Sequence, residues 1–235
     1  LMMLPAKIIS SKNNNKIKLI INFKKDQTLF FIEGFNIIEE ILKENINGSI
    51  KTIIFTDEIK PKLYKLSKYF QKLKNVEYLH VTKDVFTKIS ETEHPQGIAL
   101  ISTRKKPDIK KIFQDIDNNS IFVILDLISD PGNMGTIIRT CEAAKIKCLI
   151  ISKDSVSIYN SKVLRATMGA FLNMHIIEEV DIYQYINKLK SNGVTVIATD
   201  LKSSKNFFSV NFNLPVCFVF GKESEGYVGV PPTSQ

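Results

Sequence analysis

The sequence predicts an α/β protein in two parts: a small α/β domain over residues 1–104, a linker over 105–120, and a domain with a mostly parallel sheet over 121–235. Three observations predict it. Short β-branched runs alternate with amphipathic segments along nearly the whole length, the pattern of helices crossing between strands. The stretch Ile121 to Ala144 condenses that pattern into strand, glycine-containing turn and helix. Lys105-Lys106-Pro107 and the polar run Asp115 to Ser120 flank a short helical segment and break the alternation, as a linker does.

Taken in order, a helix is expected around Asn14 to Lys24, a strand at Leu29 to Ile32 and a helix at Gly34 to Glu44, whose stripe is Ile37, Ile38, Ile41 and Leu42. A strand at Ile50 to Thr56 precedes a helix at Pro61 to Leu73. Val76 to Val81 reads as a strand, Lys83 to Ile89 as a short helix, and Gln96 to Ser102 as a strand after the turn at Pro95. In the second part, Ile121 to Leu125 has the uninterrupted apolar character of a strand buried on both faces. Strands are expected at Cys148 to Ser152, Asn173 to Ile177, Val194 to Ala198 and Pro215 to Phe220. The helices between them are Asn160 to Thr167 and Ile182 to Asn192, the latter stopped by Gly193. In parallel sheets ligands sit beyond the carboxyl ends of strands, so the loops after Leu125, Ala198 and Phe220 are the candidates for a site.

The formal net charge is +8 and it is unevenly placed. Residues 1–118 carry 21 Lys and Arg against 14 Asp and Glu, a net +7, whereas residues 119–235 are close to neutral. That asymmetry reads either as a polyanion-binding module joined to a chemical one or as a lysine-rich solvated surface. No apolar run is long enough to span a bilayer. The opening Leu1-Met2-Met3-Leu4-Pro5 is too short for a signal peptide, and a start at Leu suggests a fragment or a translation artefact. Cys141, Cys148 and Cys217 lack metal-ligand spacing, and His80, His94 and His175 are scattered, so neither a metal site nor a disulfide framework is expected and the setting reads as cytoplasmic.

The chemistry concentrates in three stretches. Asp130-Pro131-Gly132-Asn133-Met134-Gly135 follows the first strand of the second part and is either an ordinary turn or a loop that aims backbone N–H groups and a helix end at a ligand. Arg139 follows about one turn into the helix. The others are Arg165 to Phe171 (RATMGAF) and Phe220 to Gly226 (FGKESEG). Only Arg104, Arg139 and Arg165 are arginine in a chain that otherwise uses lysine, which suggests positions needing a planar, fixed-charge fork.

These residues resemble the SpoU (TrmH-like) branch of the SPOUT methyltransferases, which methylate the ribose 2′-oxygen of RNA. The first family motif is similar to Asp130-Pro131-Gly132-Asn133-x-Gly135-x-x-x-Arg139, and the second to Phe220-Gly221-x-Glu223-x-x-Gly226. The run Arg165 to Ala170, with Thr92-x-x-x-Pro95-Gln96-Gly97, is similar to a subgroup acting on ribosomal RNA, and Ile32-Glu33-Gly34 resembles the entry of that family's substrate-binding domain. The resemblance implies an RNA-binding domain followed by a trefoil-knotted α/β domain, S-adenosyl-L-methionine as methyl donor, structured RNA as substrate and a homodimer with its site near the interface. It departs at one point. A third, Ser-Leu-Asn-containing motif should follow the second, but Tyr227 to Gln235 lacks it, so the segment that completes the cofactor pocket, the knot and the dimer contacts is expected to be missing.

By the resemblance, Arg139 acts at the 2′-hydroxyl, the alternative being a phosphate clamp or surface ion pair. Asn133 orients the ribose or Arg139, or else caps the helix. Glu223 positions the loop or the nucleotide, or else is a charge at a helix start. Gly221 lets backbone approach the cofactor, and Thr199 touches its adenosine part. Arg165 contacts RNA or a partner subunit, or is an ordinary helix charge. Lys12, Lys16, Lys18 and Lys51 bind phosphates, which gives affinity rather than sequence choice. The implied function is a ribosomal-RNA 2′-O-ribose methyltransferase; the alternative is an RNA-binding protein impaired in catalysis by the loss of the third motif.

Overall fold

The computed structural model describes residues 7–23, 26–44, 49–199, 209 and 212–222. The chain forms two compact units, Leu1–Lys105 and Lys106–Gln235. Among the described residues no helix is long and apolar enough to cross a membrane.

Unit 1 contains α1 (Asn15–Phe23), β1 (Leu29–Glu33), α2 (Phe35–Lys43), β2 (Ile50–Phe55), α3 (Lys60–Phe70), β3 (Glu77–His80), α4 (Lys83–Ile89) and β4 (Ile98–Thr103). Its sheet runs β1-β4-β2-β3, with β4 antiparallel to both neighbours and β2 parallel to β3. The crossover from β2 to β3 is α3, the long connection a parallel pair requires. One side of the sheet is covered by Ile17 and Ile20 of α1 and Val85, Phe86 and Ile89 of α4, packed on Phe31, Ile54, Leu79, Ala99 and Ile101. Fully burying such a side chain contributes about 1.5–3 kcal/mol, so this layer alone outweighs any single surface contact. Buried stripes on α2 (Ile37, Ile38, Ile41, Leu42) and α3 (Leu63, Leu66, Phe70) follow from apolar residues recurring at helical spacing.

Two polar side chains pin the turn between α4 and β4. Glu33 is only 2% exposed; its carboxylate accepts from the Ser90 hydroxyl at 2.7 Å and from the Glu91 N–H at 2.8 Å. Gln96 is not in a strand, contrary to the periodicity. Its Oε1 accepts from the Phe35 N–H at 2.8 Å, which satisfies an open donor at the start of α2. Gly97 then passes so close to Thr56 that an added Cβ would lie 2.3 Å from its hydroxyl oxygen.

Unit 2 contains α5 (Ile109–Gln114), β5 (Ile121–Leu125), α6 (Pro131–Ala143), β6 (Cys148–Ser152), α7 (Ser161–Ala166), a 3₁₀ turn (Ala170–Asn173), β7 (Ile176–Val180), α8 (Ile182–Ser191), β8 (Thr195–Ala198) and β9 (Val216–Phe220). All its described strands are parallel, in the order β7-β6-β5-β9-β8. Asp108, Asn160 and Asp181 cap α5, α7 and α8 through their side-chain oxygens.

Two sequence expectations change here. Residues 105–120 were expected as a linker around a short helix; that helix is α5, and its Ile112 and Phe113 are buried in one cluster with Phe122, Ile124, Ile150, Ile186 and Leu189. Two apolar residues on one helical turn were enough to recruit the segment into the core. The strand expected at Asn173 to Ile177 begins instead at Ile176, because Asn173 ends the 3₁₀ turn. The expected loss of a third motif falls on residues 227–235, outside the described residues.

Candidate active site

The chain leaves β5 toward β6 and β7 on one side and returns through β8 to place β9 on the other, so the strand order reverses between β5 and β9 while all the strands stay parallel. Such a switch point opens a crevice at the carboxyl ends of the strands. Leu125 and Phe220 are paired across it, Asp126 N–H donates to the Phe220 carbonyl at 2.9 Å, and Ala198 pairs with Val219 one strand further on. The three candidate loops therefore leave neighbouring strands at the same end of one sheet.

The Asp-Pro-Gly-Asn stretch is not a loop. It is the first turn of α6, with Asp130 as N-cap and Pro131 in the first turn. The Asp130 carboxylate accepts from the Asn133 N–H at 2.7 Å, and proline has no N–H to offer. The Asn133 and Met134 N–H groups are thus satisfied from within by Asp130, and among the donors of the first turn the exposed Gly132 N–H is the one they leave. Asn133 is not the cap, and its own side chain stays half-buried beside that turn.

Starting the helix at Pro131 also moves Arg139. It lies not one turn but about two turns in, roughly 12 Å along the axis at 1.5 Å per residue. It is exposed, and at 3.6 residues per turn it flanks the solvent side of α6, away from the buried Met134, Gly135, Ile138 and Cys141. Gly135 has a packing reason. A Cβ there would sit 2.3 Å from the Ala166 Cβ, so only glycine lets α6 cross α7 at this distance.

That contact ties the first stretch to the run from Arg165 to Phe171. Ala166 is the small residue on the other side of the crossing. The buried Thr167 hydroxyl donates to the Leu164 carbonyl at 2.7 Å, and Met168 (φ 51°) and Gly169 (φ 95°) then turn the chain left-handed into the 3₁₀ segment. Arg165, in the last turn of α7, is half-buried, and its Nη1 is enclosed with no hydrogen-bond partner among the described residues.

At the end of β8, Thr199 N–H and hydroxyl both donate to the Val219 carbonyl, at 3.0 and 3.2 Å, so its side chain is turned onto β9. Gly221 is half-buried directly after β9. Glu223 lies outside the described residues. Sequence reasoning missed the groups that shape the mouth of the crevice. Ser152 Oγ accepts from the Leu127 N–H at 3.1 Å, Ser155 Oγ accepts from the Ile128 N–H at 3.1 Å, and the two hydroxyls lie 2.9 Å apart. The Asp126 carboxyl is held above its usual range by burial and by the nearby Asp154 charge, against a hydrogen bond from Ser152. Leu127 adopts φ 58° and is 39% exposed. The Ser-x-x-Ser spacing after an apolar strand was the available signal.

The three thiols offer no nucleophile. All are buried, and burial pushes Cys141 up to about 11, Cys148 to about 12 and Cys217 higher still. No group of acidic, cysteine and histidine side chains suited to a metal occurs among the described residues.

In unit 1 the lysines expected at RNA are not equivalent. Lys12 and Lys18 are exposed, Lys16 is paired with Glu77, and Lys51 lies on β2 at a register shift against β4.

Residues 120–229 match the SpoU rRNA Methylase family, and residues 31–108 match the domain described as RNA 2′-O ribose methyltransferase substrate binding. The chain belongs to the SpoU family of RNA 2′-O-ribose methyltransferases. Among its SpoU relatives is the 23S rRNA (guanosine(2553)-2′-O)-methyltransferase RlmP of Bacillus subtilis, 27% identical over 94% of this chain and 84% of that one. The 23S rRNA (guanosine-2′-O-)-methyltransferase RlmB of Neisseria meningitidis is 23% identical over 65% of this chain, and the match spans 62% of RlmB. The AdoMet-bound rRNA methyltransferase of Sinorhizobium meliloti shares the SpoU fold with a TM-score of 0.77, at 24% identity over 94% of this chain and 83% of that one.

Proposed function

We propose that this chain transfers a methyl group from S-adenosylmethionine to a ribose 2′-hydroxyl in ribosomal RNA, as a cytoplasmic homodimer. The observation that supports the reading is that the stretches carrying the family's first and second motifs follow neighbouring parallel strands, β5 and β9, at the same end of one sheet. The crevice suits a nucleoside-like cofactor: Gly221 brings bare backbone to the end of β9, and the β5 and β9 ends are joined through Asp126 and Phe220. When bound, S-adenosylmethionine supplies an electrophilic sulfonium methyl group.

What the chain must do is bind and align the ribose and lower the barrier for its oxygen. The 2′-oxygen forms the new bond to the methyl carbon as the carbon–sulfur bond breaks, and the hydroxyl proton leaves to solvent. Arg139 stays protonated at ordinary pH, so its part is to stabilise the developing alkoxide or hold an adjacent phosphate. Its exposure on α6 and its lack of a hydrogen bond or ion pair among the described residues support a partner that a single chain does not hold. Asn133, on the first turn of the same helix, orients the ribose or that guanidinium; Glu223 positions the nucleotide. Arg165 reaches RNA or the second subunit, where its enclosed Nη1 finds an acceptor. Gly221 and Thr199 border the cofactor. Lys12, Lys18 and Lys51, with Lys16 once freed from Glu77, hold phosphates.

The test is transfer of tritiated methyl groups to ribosomal RNA. The parent chain should label a ribose 2′-oxygen, and Arg139→Ala should abolish transfer while leaving RNA affinity within about threefold, because one phosphate or alkoxide contact is a small share of a polyelectrolyte interface. RNA binding with no transfer and no cofactor binding by the parent would leave an RNA-binding protein without this activity.

A further inference from the structure

We propose that the solvent face of α3, with the turn that follows it, is a second RNA contact surface of unit 1, distinct from the lysines at positions 12, 16, 18 and 51, with phosphates held by Lys65, Lys68 and Lys72 and an unpaired base stacked on Tyr64. The inference rests on the RNA substrate proposed above.

From residue 59 to residue 76 the sequence holds six lysines and no acidic residue. At 3.6 residues per turn, Tyr64, Lys65 and Lys68 share the half of the helix opposite Leu63, Leu66 and Phe70, with Lys62 at its border and the exposed Lys72 two residues past its end. The other helices of unit 1 mix or pair their charges. In α2, Lys43 is paired with Glu40; in α4, Asp84 lies between Lys83 and Lys88; in α1, Lys16 reaches Glu77. Along α3, among the described residues, only Lys60 has an acidic partner, Asp57 at 2.6 Å. Lys65–Lys68 is a like-charge pair at a helical spacing that weakens an isolated helix, and the first turn lacks an acidic residue to match the helix dipole.

A solvated face would tolerate interleaved glutamates, as α2 does. A polyanion surface would not, because each acid cancels a phosphate contact. Tyr64 adds the second mark. It is 73% exposed, the highest value among the large apolar and aromatic side chains described, and its ring packs on no other ring among the described residues. An exposed aromatic among lysines is the arrangement that binds single-stranded nucleic acid, the base on the ring and the backbone on the cations. An acidic protein surface would use the lysines and leave the ring idle.

The experiment measures affinity for ribosomal RNA against salt concentration, with methyl transfer as a second readout, using the full chain. Lys65→Gln/Lys68→Gln/Lys72→Gln should bind more weakly at low salt and flatten the slope of log K against log salt by about 2, since each lost contact removes roughly 0.7–0.9. Tyr64→Ala should weaken binding by about 5- to 150-fold with the salt slope unchanged. Circular dichroism and melting should match the parent. A charge-matched control, Lys145→Gln/Lys153→Gln/Lys162→Gln in unit 2, should leave the slope within about half a unit of the parent.

If the α3 triple variant binds and methylates with the parent's slope, or if the control flattens it equally, the α3 surface is overturned while the proposed function stands. Weaker binding by the triple variant with Tyr64→Ala unchanged removes the base from the proposal and overturns it in this form. A parent that binds no RNA overturns both.

Discussion

Two turns, one in each unit, are held in opposite ways. The turn from Ser90 to Gly97 is fastened from beneath by the buried Glu33 and by Gln96, and its left-handed position is filled by glycine (φ 76°). The turn from Asp126 to Asp130 is fastened from the side by the Ser152 and Ser155 hydroxyls, and its left-handed position is filled by leucine, at φ 58°. The first arrangement is relaxed: the turn lies at the surface, anchored by the buried Glu33 carboxylate beneath it. The second keeps a half-buried carboxyl and an exposed apolar side chain at the mouth of the switch-point crevice, under backbone strain of the kind that collects at functional sites. The difference teaches where each unit needs rigidity and where it carries a cost for chemistry.

The largest effect should come from breaking the relaxed turn. Glu33→Ala strands the Glu91 N–H and frees Ser90, and should cost about 2–4 kcal/mol in urea unfolding, because buried donors without acceptors lose roughly 1–3 kcal/mol each. Glu33→Gln keeps one acceptor oxygen and should cost clearly less. Equal losses for the two variants would show that packing, not the pair of hydrogen bonds, holds the turn.

Next in size is the crossing that supports the strained turn. Gly135→Ala forces α6 and α7 apart at a Cβ distance of 2.3 Å. It should destabilise by about 1–3 kcal/mol through overpacking, although alanine favours a helix over glycine by about 1 kcal/mol. Thermal unfolding above the parent temperature would mean that the helices separate freely and that glycine is present for another reason.

Leu127→Gly sharpens the comparison from the other side. It should stabilise by up to about 1 kcal/mol, the left-handed penalty of a side chain offset by the greater freedom of glycine in the unfolded chain. Methyl transfer should fall even as stability rises. A rise in both would remove strain from the account of the site.

Much of this was legible in the residues. The uninterrupted runs at Ile121 to Leu125 and Cys148 to Ser152 are strands because a parallel sheet buries both faces. The stripes of α2 and α3 followed from periodicity alone. What escaped was three-dimensional. Asp130-Pro131-Gly132 reads as a turn by composition, yet the same residues begin a helix when an acidic cap is followed by proline. That misreading also shortened the distance to Arg139. The segment 105–120 reads as a linker by polarity, but Ile112 and Phe113 meet a core that no local window contains. The hydroxyls of Ser152 and Ser155 acquire a role only because β5 and β6 are neighbours.

The smallest predicted effect tests the carboxyl at the mouth of the crevice. Burial is the main cause that raises Asp126 above its ordinary range, so the fold disfavours its ionised form. Below the unfolded carboxylate range of about 4 the group is neutral in both states and carries no penalty. As pH rises through the folded value the penalty appears and then persists. Asp126→Asn, whose side-chain oxygen can still accept from Ser152, should therefore melt slightly above the parent at neutral pH, with the gain vanishing in acid. The Glu33 clamp supplies the contrast, since Glu33→Gln should melt below the parent at neutral pH. If Asp126→Asn is destabilising at neutral pH, the ionised carboxylate is stabilised by a partner, and the turn at the crevice resembles the clamped turn of unit 1 more closely than its backbone suggests.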